Sequence, residues 1–123
     1  MINPKVRDAI DHFCMKEYGV MGDFENPARI PFLYTTVCGD ELDGDGDPYS
    51  EMELQIYIDA PHNCAIYQFG AGAIPGLVEE YNDPEELAED IIHSDFNSWY
   101  SAALDAWRYS GYYKKDWELE VIV

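Results

Sequence analysis

Basic side chains are scarce in this chain, which has 7 Lys and Arg against 25 Asp and Glu and a formal net charge of −18 at pH 7. Not one Lys or Arg occurs between Ile30 and Trp107. Because a solvated surface normally mixes both signs, this stretch predicts a surface field of one sign, which argues against direct binding of DNA or RNA. The stretch contains seventeen acids: Asp40, Glu41, Asp43, Asp45, Asp47, Glu51, Glu53, Asp59, Glu79, Glu80, Asp83, Glu85, Glu86, Glu89, Asp90, Asp95 and Asp105.

Cysteine and histidine are also few, and their spacing matches no catalytic or metal motif. The cysteines are odd in number and include no C-x-x-C pair, so we expect neither a disulfide framework nor a structural zinc site. We expect each to pack as a small apolar side chain; they are Cys14, Cys38 and Cys64. The histidines form no H-x-x-x-H, H-x-H or H-E-x-x-H pattern; they are His12, His62 and His93. With no nucleophile placed beside a base, we expect no enzyme activity and no cofactor.

Long apolar runs are missing as well. No segment approaches the ~20 apolar residues of a membrane span, and residues 1–13 lack the apolar segment of a signal peptide. Together with the cysteine pattern, this predicts a cytoplasmic protein. A hydrophobic content of 47%, with 15% aromatic residues, argues against disorder despite the charge. The length then predicts a single acidic domain over residues 1–123.

Two helix starts are visible in the sequence. Asn3 followed by Pro4 predicts an N-terminal helix that ends at Gly19. Asp83 followed by Pro84 predicts a second start, and the apolar residues after it keep helical spacing to about residue 109. Residues 94 and 95 would also serve as a new start, so one long helix and two short ones both remain open. The predicted apolar stripe is Ala88, Ile92, Phe96, Trp99, Ala103 and Ala106.

Alternation of apolar and polar residues predicts strands over residues 32–38, 51–59 and 64–69, paired as a three-stranded antiparallel meander. We interpret residues 70–76 as a glycine-rich connector and residues 117–123 as a C-terminal strand that joins the sheet, giving an α+β fold. The second strand would present one apolar face to the core, made of Met52, Leu54, Ile56 and Ile58. Its other face would be wet and would carry Glu51, Glu53, Gln55, Tyr57 and Asp59.

An acidic loop, residues 39–48, lies between the first two predicted strands. Asp43, Asp45 and Asp47 have the spacing that begins a calcium-binding loop of the EF-hand type. Pro48, however, stands where that loop needs glycine, and Leu54 stands where it needs a bidentate Glu. A calcium-binding module is therefore the weaker alternative, and we expect the loop to contact a partner instead.

The predicted partner contacts are the acids of this loop and of two strands that would share one face of the sheet. Like charges opposite each other on a sheet destabilise it, so a face of this kind favours a basic protein partner. The predicted set is Asp40, Glu41, Asp43, Asp45, Asp47, Glu51, Glu53, Asp59, Glu118 and Glu120.

In size, charge and compactness the chain resembles the small anti-restriction and anti-CRISPR DNA mimics of phages and mobile elements. A net charge of −18 corresponds to the phosphates of roughly 9–10 base pairs of duplex DNA. The resemblance implies an anti-defence inhibitor of a basic nucleic-acid-binding protein, such as a nuclease. The chain also resembles the acidic immunity proteins, which implies as an alternative that it neutralises a basic toxin or enzyme.

Overall fold

A computed structural model of the chain describes residues 2–38, 51–70 and 75–108. Within these ranges the chain forms a four-stranded antiparallel sheet and three α-helices. In chain order the elements are α1 (Pro4–Tyr18), β1 (Ile30–Cys38), β2 (Glu51–Asp59), a 3₁₀ turn (Ala60–His62), β3 (Cys64–Phe69), β4 (Gly76–Glu80), α2 (Pro84–His93) and α3 (Phe96–Arg108). The predicted α+β class is confirmed.

Helix α1 has the ends that the sequence predicts. The Asn3 side chain accepts a hydrogen bond from the Lys5 backbone N–H at 2.9 Å, which satisfies one of the unpaired donors of the first turn. Gly19 follows the last helical residue in the left-handed conformation, with φ of 71°, and its N–H donates to the Met15 carbonyl at 3.0 Å. The predicted start and stop are both confirmed.

The strands follow one another in the sheet in the order β1-β2-β3-β4, all antiparallel. The predicted meander of β1, β2 and β3 is confirmed. The fourth strand is β4, in a segment that the sequence does not mark as a strand. Only Leu77 and Val78 are large apolar residues in this strand, which is too short to show a period of two. The predicted C-terminal strand, residues 117–123, lies outside the described residues.

The segment after β4 forms two helices. Asp83 caps α2 by accepting the Glu86 backbone N–H at 2.8 Å, and Asp95 caps α3 by accepting the Ser98 backbone N–H at 2.8 Å. Ser94 between them has extended backbone, so the apolar stripe does not run through unbroken. Ile92 is 47% exposed, contrary to the predicted stripe, whereas Ala88 of that stripe is buried in α2 together with Leu87 and Ile91.

All three helices contribute to a core on one face of the sheet. The register of β1 against β2 shifts between Pro31 and Leu33, so Phe32 is an extra residue in β1. Because of this bulge, Phe32 and Leu33 are both buried in the core. Phe32 stacks on Phe13 of α1, with ring centroids 4.1 Å apart, and meets Trp99 of α3 edge to face at 5.1 Å. Phe32 therefore joins the sheet to two helices.

Candidate acidic interface

Most of the predicted contact set falls outside the described side chains. Glu51 is placed by its backbone, which pairs with Cys38 at the end of β1 and β2. Glu53 is exposed on β2, and its Oε1 accepts a hydrogen bond from the Tyr34 hydroxyl of β1 at 2.7 Å. The other predicted acids, apart from Asp59, lie outside the described residues: Asp40, Glu41, Asp43, Asp45, Asp47, Glu118 and Glu120.

Asp59 is buried, so the prediction that it lies on an exposed acidic face is wrong. Its Oδ1 accepts the His62 backbone N–H at 3.3 Å, and its Oδ2 lies 2.8 Å from the His62 Nδ1. Both contacts hold the 3₁₀ turn that follows β2. The alternation of β2 places Asp59 correctly in the strand, but the turn after it draws the carboxylate into a capping role.

Along β2, the sheet face opposite the helices is exposed only toward one end of the strand. Glu53 is exposed there, whereas Gln55 and Tyr57 are half-buried further along the strand. On β3 the side chains of Cys64 and Ile66 are buried on this same face, against Tyr57 and the β4 residue Leu77. This face therefore does not present a continuous row of β2 carboxylates.

A different surface, at the end of β4 and along α2, carries five of the described acids. We call it the β4–α2 acidic surface; all of its carboxylates are on exposed residues, and they are Glu79, Glu85, Glu86, Glu89 and Asp90. Within the described part of the chain, no Lys or Arg forms a salt bridge with any of them. The sequence places these acids in the base-free stretch without marking them as contacts, although the i,i+4 spacing of the four α2 acids in a capped helix is a usable signal.

Two of these acids have local reasons to lie at the start of α2. Glu85 and Glu86 are in the first turn, where the helix dipole favours negative charge. Glu86 also accepts the Asn82 backbone N–H through its Oε2 at 3.2 Å, while its own N–H is bonded to Asp83. This reciprocal arrangement is close to a capping box, so Glu86 stabilises the helix start.

Glu89 and Asp90 have no such reason, because they lie in the second half of α2, where the dipole disfavours acids. Glu85 with Glu89, and Glu86 with Asp90, are like-charge i,i+4 pairs that cost about 0.2–0.5 kcal/mol each. Local contacts offset part of this cost. The Glu89 Oε1 lies 3.2 Å from the His93 Nε2, and the Asp90 carboxylate accepts a hydrogen bond from the Tyr81 hydroxyl. Helix stability alone does not account for acids at these two positions.

Strand β4 brings a further carboxylate to the same place. The pKa of Glu79 is raised, first by partial burial and then by the negative charge of Asp90. The pKa of Tyr81 is also raised, by burial, by its hydrogen bond to Asp90 and by the charges of Asp90 and Glu79. The charge of Asp90 thus acts on Glu79 of β4 and on Tyr81, which follows β4, so these three side chains form one local electrostatic group.

Glu79→Gln is therefore expected to stabilise the protein at neutral pH by a few tenths of a kcal/mol, a size that allows for solvent screening. Since the folded-state pKa of Glu79 is raised above its ordinary value of 4.5, the folded state holds more protons than the unfolded state just above pH 4.5. Stability due to this group consequently falls as pH rises through that window. Urea unfolding of the wild type and of Glu79→Gln measures the free energy of unfolding. The variant should be more stable than the wild type at neutral pH and equally stable below pH 4.5.

Asp90→Asn is the matched partner for this test, because its amide oxygen still accepts from Tyr81. In the Asp90→Asn background the gain from Glu79→Gln should shrink. The proposed repulsion between Glu79 and Asp90 would be contradicted if Glu79→Gln raised the free energy of unfolding equally at acidic and neutral pH. It would also be contradicted if the increase were the same in the wild type and in Asp90→Asn.

The described cysteines have no exposed thiol. Cys14 and Cys64 are buried, as the sequence predicts, whereas the Cys38 side chain lies outside the described residues. Burial, with the nearby charge of Asp11, raises the pKa of the Cys14 thiol, which disfavours the nucleophilic thiolate. Across residues 2–38, 51–70 and 75–108 no three His, Cys, Asp or Glu side chains are grouped to hold a metal ion. In the same ranges no helix has the length and apolar character needed to cross a membrane.

Comparison with known proteins finds no family model, no curated protein and no solved structure that matches this chain. The functional argument therefore depends on the chemistry of the described surface and on the charge of the whole chain.

Proposed function

We propose that this chain is a non-enzymatic binding protein that inhibits a basic nucleic-acid-binding protein by occupying its binding groove. The supporting observation is the β4–α2 acidic surface, where five exposed carboxylates from a strand and a helix come together with no Lys or Arg bridged to them among the described residues. A groove that binds phosphates is lined with Lys and Arg, which are the groups that such a surface attracts.

The positions of Glu89 and Asp90 strengthen this proposal. Their charges cost helix stability, and binding a cationic partner would turn the same repulsion into a favourable interaction. The net charge of −18 adds a long-range attraction that speeds the encounter with a basic protein. The proposal includes an anti-defence role, in which the basic partner is a nuclease.

The predicted set of the loop and strands, without the buried Asp59, is proposed as a second contact region. Glu53 is the member whose described side chain is exposed, and its bond to Tyr34 orients the carboxylate at the sheet surface. The loop acids Asp40, Glu41, Asp43, Asp45 and Asp47 follow β1 in the sequence and, with Glu118 and Glu120, stay predictions.

Affinity capture with elution by duplex DNA tests the proposed function. The protein is immobilised, a lysate of its source cells is passed over it, and bound proteins are eluted first with short duplex DNA and then with salt. We expect the DNA step to release one or a few nucleic-acid-binding proteins, because DNA and the acidic surface compete for the same groove.

Two triple variants make this experiment specific. Glu79→Gln/Glu85→Gln/Glu89→Gln removes three charges from the β4–α2 acidic surface and leaves the Asp83, Glu86 and Asp90 contacts in place. Asp8→Asn/Glu25→Gln/Asp105→Asn removes three exposed charges from α1, the α1–β1 loop and α3. The first variant should lose the DNA-eluted proteins and the second should retain them. Proteins that are released by salt but not by DNA would instead favour the immunity-protein alternative.

A further inference from the structure

An apolar groove lies between the C-terminal end of α1, the loop that follows it, and strands β1 and β2. It has a volume of about 450 Å³, and we call its large exposed apolar and aromatic lining side chains its mouth; they are Tyr18, Val20, Met21 and Tyr34. Pockets of this size in proteins commonly hold a side chain or a small ligand. The groove is formed by elements other than β4 and α2, so it is separate from the acidic surface described above.

The side chains at the mouth are unusually exposed for their type. Met21 is 61% exposed, Val20 58%, Tyr34 52% and Tyr18 40%, and together they are half of the eight large apolar or aromatic side chains that are exposed in the described ranges. A concentration of exposed apolar and aromatic groups around a concave site is typical of a protein-binding surface.

The loop that carries Val20 and Met21 is held against α1 before any partner binds. The Gly22 N–H donates to the Asp11 Oδ1 at 2.8 Å, which ties the loop to the helix. A Cβ at Gly22 would lie 2.8 Å from the Phe24 ring and 3.1 Å from Ile10, so the backbone approaches the packed side chains as closely as glycine allows. The Phe24 ring is covered in turn by the Arg7 guanidinium at 4.4 Å. The groove is therefore largely preformed, which lowers the entropic cost of binding.

The groove adjoins the edge of the sheet, but that edge is closed where the groove meets it. The Tyr18 hydroxyl accepts the Tyr34 backbone N–H at 3.0 Å and donates to the Tyr34 carbonyl at 3.3 Å. These are the outward main-chain groups that an added strand would use. Insertion of a side chain between Tyr18, Val20 and Met21 is thus favoured over addition of a partner strand to β1.

The charge around the groove indicates the charge of the partner segment that inserts a side chain into it. Asp23 lines the groove, and Glu53 is bonded to the Tyr34 hydroxyl at its mouth. A second copy of this protein also has a net charge of −18 and would be repelled. A segment with Lys or Arg beside its apolar residue would instead be attracted by both carboxylates and by the whole chain.

We infer that this groove binds an aromatic or large aliphatic side chain flanked by Lys or Arg on the partner protein, and the inference rests on the proposed function. The acidic surface would then speed the encounter, and the groove would slow dissociation by burying apolar area. Because the acidic surface would act on association and the groove on dissociation, experiments can test the two sites separately.

Peptide titrations followed by amide and methyl NMR test the inference. One probe has a central tryptophan with three lysines on each side; the second replaces the tryptophan with serine; the third keeps the tryptophan and replaces every lysine with glycine. The lysine–tryptophan peptide should bind about tenfold more tightly than the lysine–serine peptide. It alone should shift the methyl signals of Val20 and Met21 strongly.

Variants at the mouth of the groove provide the control. Val20→Ser/Met21→Ser changes two exposed side chains, so the fold should persist, and it should reduce the tenfold difference to less than about twofold. Met15→Ser removes an exposed α1 side chain that is not among the lining residues of the groove, and it should leave the difference in affinity intact.

Other results overturn the inference in distinguishable ways. Equal binding of both lysine peptides, without shifts at Val20 and Met21, would refute the groove contact but not the acidic surface. Binding of the glycine–tryptophan peptide as tight as that of the lysine–tryptophan peptide would show that the groove takes apolar ligands without basic flanks. Dimerisation abolished by Val20→Ser/Met21→Ser, measured by sedimentation, would assign the groove to a second copy. No binding of either lysine peptide at low salt would refute both the inference and the proposed function.

Discussion

Phe32→Ala is expected to lower the free energy of unfolding by about 3–5 kcal/mol, a large share of the stability of a domain of this size. The ring is buried and touches Phe13 on one side and Trp99 on the other. Removing it leaves a cavity between the sheet, α1 and α3, and all three elements lose contacts at once. The bulge in β1 would then place only Leu33, and not a second large side chain, in the core.

Urea unfolding followed by tryptophan fluorescence and by circular dichroism measures this change. Thr36→Ala on the same strand is the control, because Thr36 is exposed and its substitution should change stability by less than about 0.5 kcal/mol. A Phe32→Ala protein within about 1 kcal/mol of the wild type, with an unchanged dependence on urea, would contradict the assignment of Phe32 as the side chain that joins sheet and helices.

The elements with strong local signals could be predicted from the sequence. Helix α1 has a capping Asn, a proline in its first turn and a terminal glycine, and each of these acts within a few residues. Strands β2 and β3 have a clear pattern or a bounded apolar run. Asp83 and Asp95 likewise mark both helix starts, although the choice between one helix and two needed the backbone conformation of Ser94.

The features that depend on long-range packing could not be predicted. Strand β4 contains few apolar residues and is recognisable only by its pairing with β3. Phe32 and Leu33 are both buried because of a bulge, which strict alternation does not foresee. Asp59 looks like an exposed acid of β2 until its contacts with His62 are known.

The sequence predicts the negative charge of the candidate site but not the part of it that β4 and α2 form. The base-free middle of the chain predicts an acidic surface, and its placement on the loop of residues 39–48 and on the sheet face that carries Glu53 stays a prediction. Asp90 of α2 is near enough to Glu79 of β4 for its charge to raise the Glu79 pKa, although the two acids are eleven residues apart in the sequence. The sequence therefore predicts the charge of the described surface better than it predicts which of the described acids lie near one another.

Glu79→Gln/Glu85→Gln/Glu89→Gln is expected to slow association with the captured partner about tenfold at low ionic strength. The three carboxylates attract a basic groove over a distance set by the Debye length, which is about 30 Å at 0.01 M salt and about 3 Å at 1 M. The effect should therefore be largest in dilute salt and should vanish near 1 M. Dissociation should change less, because the apolar contacts of the partner are not altered.

The most direct test of the central claim is this association rate, measured by stopped-flow fluorescence from 0.01 to 1 M salt for the wild type and both triple variants. The account predicts that the β4–α2 variant is slowed about tenfold in dilute salt, with a flatter salt dependence, while Asp8→Asn/Glu25→Gln/Asp105→Asn is slowed much less. Equal slowing of the two variants would show that only net charge matters. If the β4–α2 variant associates at the wild-type rate at every salt concentration, the surface is merely solvated and the account is wrong.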